Sequence, residues 1–154
     1  MKREQIGVQM YTLREMAAKN LDATLGEIAR IGYAGVEIAG FYGHSASDVK
    51  SMLDRYGLKA FSAHIPAAQF EGDIESVVSD LTTIGAPWGI VPWVSPEERN
   101  ETAMRDLGLK MNAYASHLKD ADIKFGYHNH DFEFTEKVGT GETLFHTLLN
   151  ITDP

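Results

Sequence analysis

Short apolar runs alternate with longer stretches in which apolar residues recur at every third or fourth position. The short runs are typical of strands buried in a parallel sheet, and the longer stretches are typical of helices that pack one face on it. We therefore predict strands over residues 6–10, 35–39, 58–65, 88–92 and 123–128. This alternation of strand and helix predicts an α/β fold.

Helix-start and helix-stop residues indicate where the predicted helices lie. Asn20 and Asp73 are good N-terminal caps, and a glycine follows each of the first three apolar stripes. Ser95, Pro96 and Glu98 combine a capping box with proline at the first helical position, which predicts a helix that runs to about residue 121. The remaining helices are predicted over residues 21–31, 49–56, 74–84 and 141–150.

Five βα units fit two architectures. One is a complete doubly wound sheet, and the other is the first part of a (β/α)8 TIM barrel. The predicted strands begin roughly 29 residues apart, so eight units would need roughly 235 residues, close to the usual length of about 250 for this barrel. In the barrel interpretation, residues 1–154 form a single partial domain with the first five or so units.

The composition narrows the classes of function. The chain is 44% hydrophobic with a formal net charge of -8, which is typical of a globular protein and leaves no basic surface for nucleic acid. The absence of cysteine excludes a disulfide framework, a thiolate metal site and a cysteine nucleophile. No signal-like segment or membrane-length apolar run occurs, so we expect a cytoplasmic protein that binds neither nucleic acid nor membrane.

Polar and aromatic residues gather where the predicted strands end, which is where both architectures collect their chemistry. Glu37 lies on the second strand, where a sheet covered by helices offers little solvent, and His64 lies near the end of the third. A strand-edge charge and a core histidine are the structural alternatives for these two residues. The residues expected to contact substrate at the same ends are Gln9, Tyr11, Phe41 and Trp93.

The densest polar cluster follows the fifth predicted strand. His128 and His130 share one strand face there, so both can point into one cavity, and Glu133 follows closely. Imidazole and carboxylate ligands suit Zn, Mn or Co. We therefore expect this segment to take part in a site.

Three segments resemble a known family. Residues 6–14 (IGVQMYTLR), 35–43 (GVEIAGFYG) and 126–134 (GYHNHDFEF) are similar to the sugar phosphate isomerase/epimerase family, whose members are xylose isomerase-like TIM barrels. The third segment is the most specific, and the resemblance spans the chain in order. It implies a (β/α)8 barrel of which the C-terminal part is missing here.

The resemblance also implies a chemistry. Members of the family use a divalent metal, often Mn, Mg, Co or Zn, to isomerise, epimerise, dehydrate or cleave sugars by removing a proton next to a carbonyl. It makes Glu133 the expected metal ligand, with His128 as the competing choice, and the other three ligands would come after the end of this chain. The expected catalytic residues are Glu37, His64, His128 and His130.

Two other functions stay open at this point. The chain could be a small α/β binding domain without catalysis, or a half-barrel that works only when self-associated. Self-association is expected because the first and fifth strands of a partial barrel have unpaired edges, and both strands are apolar.

Overall fold

The five strands pair in the order in which they occur along the chain. In the computed structural model, which describes residues 3–153, each strand pairs in parallel with the next. A doubly wound sheet reverses its strand order at a switch point, and this sheet does not. The barrel-type prediction is therefore confirmed and the doubly wound alternative is wrong. The strands are β1 (Gly7–Gln9), β2 (Gly35–Ile38), β3 (Lys59–His64), β4 (Trp88–Val91) and β5 (Lys124–Tyr127).

Helices fill the connections between the strands. Asn20 caps the second helix as predicted, because its side chain accepts a hydrogen bond from the Ala23 N–H at 3.0 Å. Thr143 caps the last helix, which is shorter than the predicted span. The helices in the described residues are α1 (Arg14–Lys19), α2 (Leu21–Ile31), α3 (Ala46–Tyr56), α4 (Ala67–Gly72), α5 (Ile74–Ile84), α6 (Glu101–Lys119), α7 (Phe132–Thr135) and α8 (Leu144–Leu149).

The start predicted for the long helix is wrong. Ser95 does form the predicted capping box, but that box covers only a 3-10 turn, Pro96–Glu98. Arg99 then leaves the helical region with φ -82° and ψ 60°, which ends the turn. Asn100 is a second, competing N-terminal cap. Its side chain accepts a hydrogen bond from the Ala103 N–H, and α6 begins at the next residue, Glu101.

The main core lies between the outer face of the sheet and the helices. It draws on strand residues such as Val36 and Val91 and on the inward stripes of α2, α3 and α5. A second cluster joins α6 to α8 through Met104 and Leu148. The inner face of the sheet carries polar strand-end residues together with the ring of Phe61. No helix within residues 3–153 has the length and apolar character needed to cross a membrane.

A β-bulge in β3 decides which residues face β2. Val36 pairs with Ala60, but the next residue, Glu37, pairs with Ser62, so Phe61 is passed over. An extra residue of this kind breaks the strict alternation of side chains between the two faces of a strand. The bulge therefore brings the Ser62 side chain beside Glu37.

The ring of Phe61 lies against two glycines on the neighbouring strands. A Cβ at Gly7 would lie 2.7 Å from the ring, and a Cβ at Gly35 would lie 2.9 Å from it. Both distances are too short for a real contact, so only glycine leaves room for the ring at these positions. The aromatic side chain is thus accommodated next to the start of β1 and β2.

Candidate functional site

A cavity of about 810 Å³ lies at the carboxyl ends of the strands. Its wall draws on the ends of β1, β2 and β3 and on the segments that follow β4 and β5. All four residues predicted to contact substrate line it, and so do three of the four predicted catalytic residues. These lining residues are Gln9, Tyr11, Phe41, Trp93, His64, His128 and His130.

Glu37 lies directly behind His64. The Oε1 atom of Glu37 is 3.0 Å from Nε2 of His64, and the two side chains are 22% and 9% exposed. The oxygen lies off the direction of the ring N–H, so this is a close electrostatic contact and not a well-directed hydrogen bond. The hydroxyl of Ser62 donates to the other carboxylate oxygen, Oε2.

Gln9 holds the far side of the same histidine. Its amide nitrogen lies 3.3 Å from Nδ1 of His64, and its amide oxygen accepts a hydrogen bond from the backbone N–H of Tyr11. Three adjacent strands therefore contribute one connected set of side chains, which we name the strand cluster: Gln9, Glu37, Ser62 and His64.

The charges of the site shift two of its pKa values. The facing ring of His64 is the largest influence on Glu37 and holds the pKa of that carboxyl below its usual range, against the opposing effect of burial. The Ser62 hydroxyl acts in the same direction as His64. Burial lowers the pKa of His128, and the neighbouring His64 and His130 lower it further. The site therefore favours the ionised form of Glu37 and the neutral form of His128.

Three side chains are close enough to be tested as ligands of one metal ion. One donor atom each from Glu37, His64 and His128 lies within 4.8 Å of the other two. Ligands of a tetrahedral ion with bonds of about 2.0 to 2.2 Å lie about 3.3 to 3.6 Å apart. Oε1 of Glu37 and Nε2 of His64 are 3.0 Å apart, close to that separation. Two imidazoles and a carboxylate suit Zn or Co by their chemistry.

Glu133 lies outside the cavity wall and is completely buried. Its Oε1 accepts a hydrogen bond from the Tyr127 hydroxyl at 2.6 Å, and its Oε2 accepts one from the backbone N–H of His130 at 2.6 Å. Burial and this carboxylate together raise the pKa of the Tyr127 hydroxyl well above its usual range. Both carboxylate oxygens are thus engaged in holding the turn after β5, and the role of Glu133 as a metal ligand stays a prediction.

The same turn orients two histidine rings. The ring of His130 lies 5.0 Å from that of His128 and stacks on Phe132 with ring centres 5.7 Å apart. The guanidinium of Arg99 covers Phe132 at 3.8 Å from its ring centre. Nδ1 of His130 is buried and has no hydrogen-bond partner among the described residues. We name residues 128–133 the turn segment.

The sequence did not indicate that Ser62 would bond to Glu37 or that the Tyr127 hydroxyl would bond to Glu133. Ser62 precedes His64 by two positions, so simple alternation would have placed both on one face. Nothing in the sequence pattern announced the bulge that sets Ser62 opposite Glu37. The structure adds further lining residues that the sequence did not single out for the site, among them Tyr42, Gln69 and Asp80.

Comparison with known proteins gives one curated relative. The chain is 29% identical over 109 residues to the rhizopine catabolism protein MocC of Rhizobium meliloti. The aligned region covers 71% of this chain and 27% of that protein. No protein-family model matches the chain.

Solved structures share the fold over more of the chain. A sugar phosphate isomerase/epimerase from Parabacteroides distasonis superposes with a TM-score of 0.84 and 23% identity, over 100% of this chain and 63% of that one. The IolI protein, solved with a zinc atom bound, superposes with a TM-score of 0.61 and 12% identity, over 80% of this chain and 51% of that one. The chain spans less than two thirds of each of these proteins. It has the fold of the xylose isomerase-like sugar phosphate isomerase/epimerase barrels, and the resemblance predicted from its three segments is confirmed at the level of the fold.

Proposed function

We propose that this chain forms part of a metal-dependent sugar isomerase or epimerase, which removes a proton next to the carbonyl of a sugar, keto-sugar or sugar phosphate. The observation that supports this most is the approach of Glu37, His64 and His128 to within 4.8 Å of one another beside a single cavity. Carboxylate and imidazole are the groups that take up and return protons near neutral pH. The name of the Parabacteroides distasonis relative supports the substrate class.

The proposal gives Glu37 and His64 the proton-transfer role, with His128 and His130 beside them. The ionised Glu37 carboxylate, which the facing His64 favours, is suited to accept a proton from carbon. The half-exposed rings of Tyr11 and Trp93 at the cavity wall suit the C–H faces of a sugar. Phe41 and Gln9 complete the proposed substrate contacts.

A divalent metal, Mn, Mg, Co or Zn, is part of the proposal. When bound, such an ion polarises the carbonyl and makes the adjacent proton easier to remove. Of the two residues predicted as ligands, His128 is exposed at the cavity wall, whereas both oxygens of Glu133 are already hydrogen-bonded. We therefore propose His128 as the ligand that this chain supplies. The zinc atom bound to the IolI protein supports a metal in this fold.

Proton exchange with solvent tests the proposal directly. The whole enzyme of which this chain is proposed to form part is incubated in D2O with aldoses, ketoses and their phosphates, and loss of the proton next to the carbonyl is followed by NMR. Exchange is expected to need a divalent metal and to disappear with EDTA. Absence of exchange for every sugar, with binding retained, would support the small binding domain instead.

A matched pair of variants tests the role of Glu37. Glu37→Gln removes the charge with almost no change in shape, and we expect exchange to fall about 100-fold or more. Glu75→Gln makes the same change on the exposed first turn of α5 and is expected to leave exchange unaltered. Equal exchange in the two variants would contradict the assignment of Glu37.

We also propose that the 154-residue chain self-associates when made alone. In residues 3–153, β1 pairs only with β2, and β5 pairs only with β4, so each has one unpaired edge. Unpaired apolar edges favour pairing with another copy. Light scattering at micromolar concentration tests this, and a stable monomer would contradict it.

A further inference from the structure

We propose that Gln9 is a positioning residue that holds His64 in the tautomer protonated on Nε2, so that Glu37 is the proton acceptor of the site and the Nε2–H of His64 supports its carboxylate. The inference deepens the proposed function, because it divides the roles within the proton-transfer pair. It rests on the hydrogen-bond directions of the strand cluster.

The orientation of the Gln9 amide follows from its neighbours. The backbone N–H of Tyr11 can only donate, so the atom of Gln9 that it meets must be the amide oxygen. The other atom of the amide, which faces His64, must therefore be the NH2 group. This argument fixes the amide without depending on how its oxygen and nitrogen are told apart.

The amide in turn determines the tautomer of His64. An NH2 group can only donate, so Nδ1 of His64, 3.3 Å away, must be an unprotonated acceptor. A neutral imidazole carries one proton, which then sits on Nε2. Oε1 of Glu37 lies 3.0 Å from that nitrogen, and a carboxylate beside an N–H favours the same tautomer.

This tautomer divides the chemistry between the two side chains. Nε2 of His64 already carries a proton, so it cannot accept one from the substrate. The proton that leaves carbon forms a new O–H bond on Glu37, and the electron pair of the broken C–H bond moves to the carbonyl oxygen. The Nε2–H of His64 is buried beside Glu37, so it stabilises the carboxylate that takes the proton and does not itself meet the substrate.

The same tautomer counts against His64 as a metal ligand. A metal-bound histidine normally carries its proton on the ring nitrogen that faces away from the ion, where an acceptor holds it. With Nε2 as the ligand, that proton would be on Nδ1 and would meet the NH2 group of Gln9. His64 is therefore a poor partner for Glu37 and His128 in a shared ion site, despite their spacing.

The tautomer is measured directly in protein labelled with 15N in its histidines, without sugar and without metal. A long-range 1H–15N spectrum distinguishes a protonated from an unprotonated ring nitrogen, and magic-angle spinning gives the same information if the chain assembles. We expect His64 to be protonated on Nε2 in the native sequence. In Gln9→Glu the NH2 group becomes an acceptor oxygen, and we expect Nδ1 to become protonated.

Gln69→Glu is the matched control, because it makes the same chemical change at the wall of the same cavity, whereas the amide that faces Nδ1 of His64 is that of Gln9. We expect it to leave the tautomer of His64 unchanged. Gln9→Met, which keeps the length but removes the donor, should raise the fraction of His64 protonated on Nδ1 above that of the native sequence, although Glu37 still favours Nε2. It serves if Gln9→Glu fails to fold.

Two results would overturn the inference: a native His64 protonated on Nδ1, or a tautomer that does not change in folded Gln9→Glu and Gln9→Met. Neither depends on catalysis. Loss of the proposed function would appear as absent proton exchange with an Nε2-protonated His64, and it is therefore distinguishable.

Discussion

The strand cluster and the turn segment both supply histidines to the cavity, but they are held in different ways. In the strand cluster, each contact joins residues from different strands, such as Glu37 with His64 and Gln9 with His64. In the turn segment, Glu133 reaches back three residues to the N–H of His130 and six residues to the hydroxyl of Tyr127. One region is therefore built by the sheet, and the other is built by its own short stretch of chain.

This difference teaches that closeness in sequence and closeness to the cavity are separate properties. Glu133 belongs to the densest polar segment of the sequence, yet it is completely buried and its oxygens are taken up by local donors. Glu37 is isolated in the sequence but lies beside Ser62, His64 and His128 in the fold. A completely buried carboxylate and a partly exposed one should respond differently to removal.

The largest expected effect is on stability, in Glu133→Ala. The substitution leaves the Tyr127 hydroxyl and the His130 N–H buried without acceptors, so we expect the free energy of unfolding to fall by about 3 kcal/mol. Glu37→Ala, at a side chain that is 22% exposed and can be replaced by water, should cost less than about 1 kcal/mol. Urea denaturation of both variants measures the contrast.

Glu142→Ala is the control for this pair, because Glu142 is exposed and its removal should change stability by less than about 0.5 kcal/mol. Equal losses for Glu133→Ala and Glu37→Ala would remove the distinction between the two regions.

The next effect concerns the support beneath the strand cluster. A Cβ at Gly35 would lie 2.5 Å from the backbone oxygen of Lys59 and 2.9 Å from the ring of Phe61. The backbone oxygen cannot move without disturbing the pairing of β2 with β3, so Gly35→Ala should cost about 2 kcal/mol. Thermal unfolding measures it. Gly139→Ala, which would meet nothing within 4 Å, is the control, and a similar loss there would contradict the steric explanation.

The smallest effects come from single hydroxyl groups. Tyr127→Phe removes one of the two hydrogen bonds to the buried Glu133, and we expect a loss of about 1 kcal/mol in the free energy of unfolding. Ser62→Ala removes a donor from the more exposed Glu37, whose oxygen can bind water instead, so its loss should be about half as large. A larger loss for Ser62→Ala than for Tyr127→Phe would mean that the strand cluster depends more on its hydroxyl than the turn segment depends on the hydroxyl of Tyr127.

Much of the fold follows from the sequence, because strand and helix periodicity was clear and the glycines at 32, 57 and 85 do end helices. The helix predicted from Ser95 failed because Asn100 offers a second cap that sequence alone could not rank against the first. The cavity-lining residues were foreseeable as strand-end residues, and Gln9, Tyr11, Phe41 and Trp93 do line the cavity. The partners of Glu133 were not foreseeable, since they depend on how the chain turns after β5.

The bulge at Phe61 shifts by one residue the alternation of side chains between the two faces of β3. A regular strand would send Phe61 and His64, three positions apart, to opposite faces of the sheet. With the one extra residue, the Phe61 ring packs against Gly7 and Gly35 while Ser62 and His64 still meet Glu37. Deleting a single residue here would restore the regular alternation. The strand could then place either the phenylalanine ring or the histidine on this face of the sheet, but not both. A lineage or a designer that alters the length of this strand therefore changes its chemistry without substituting any residue of the site.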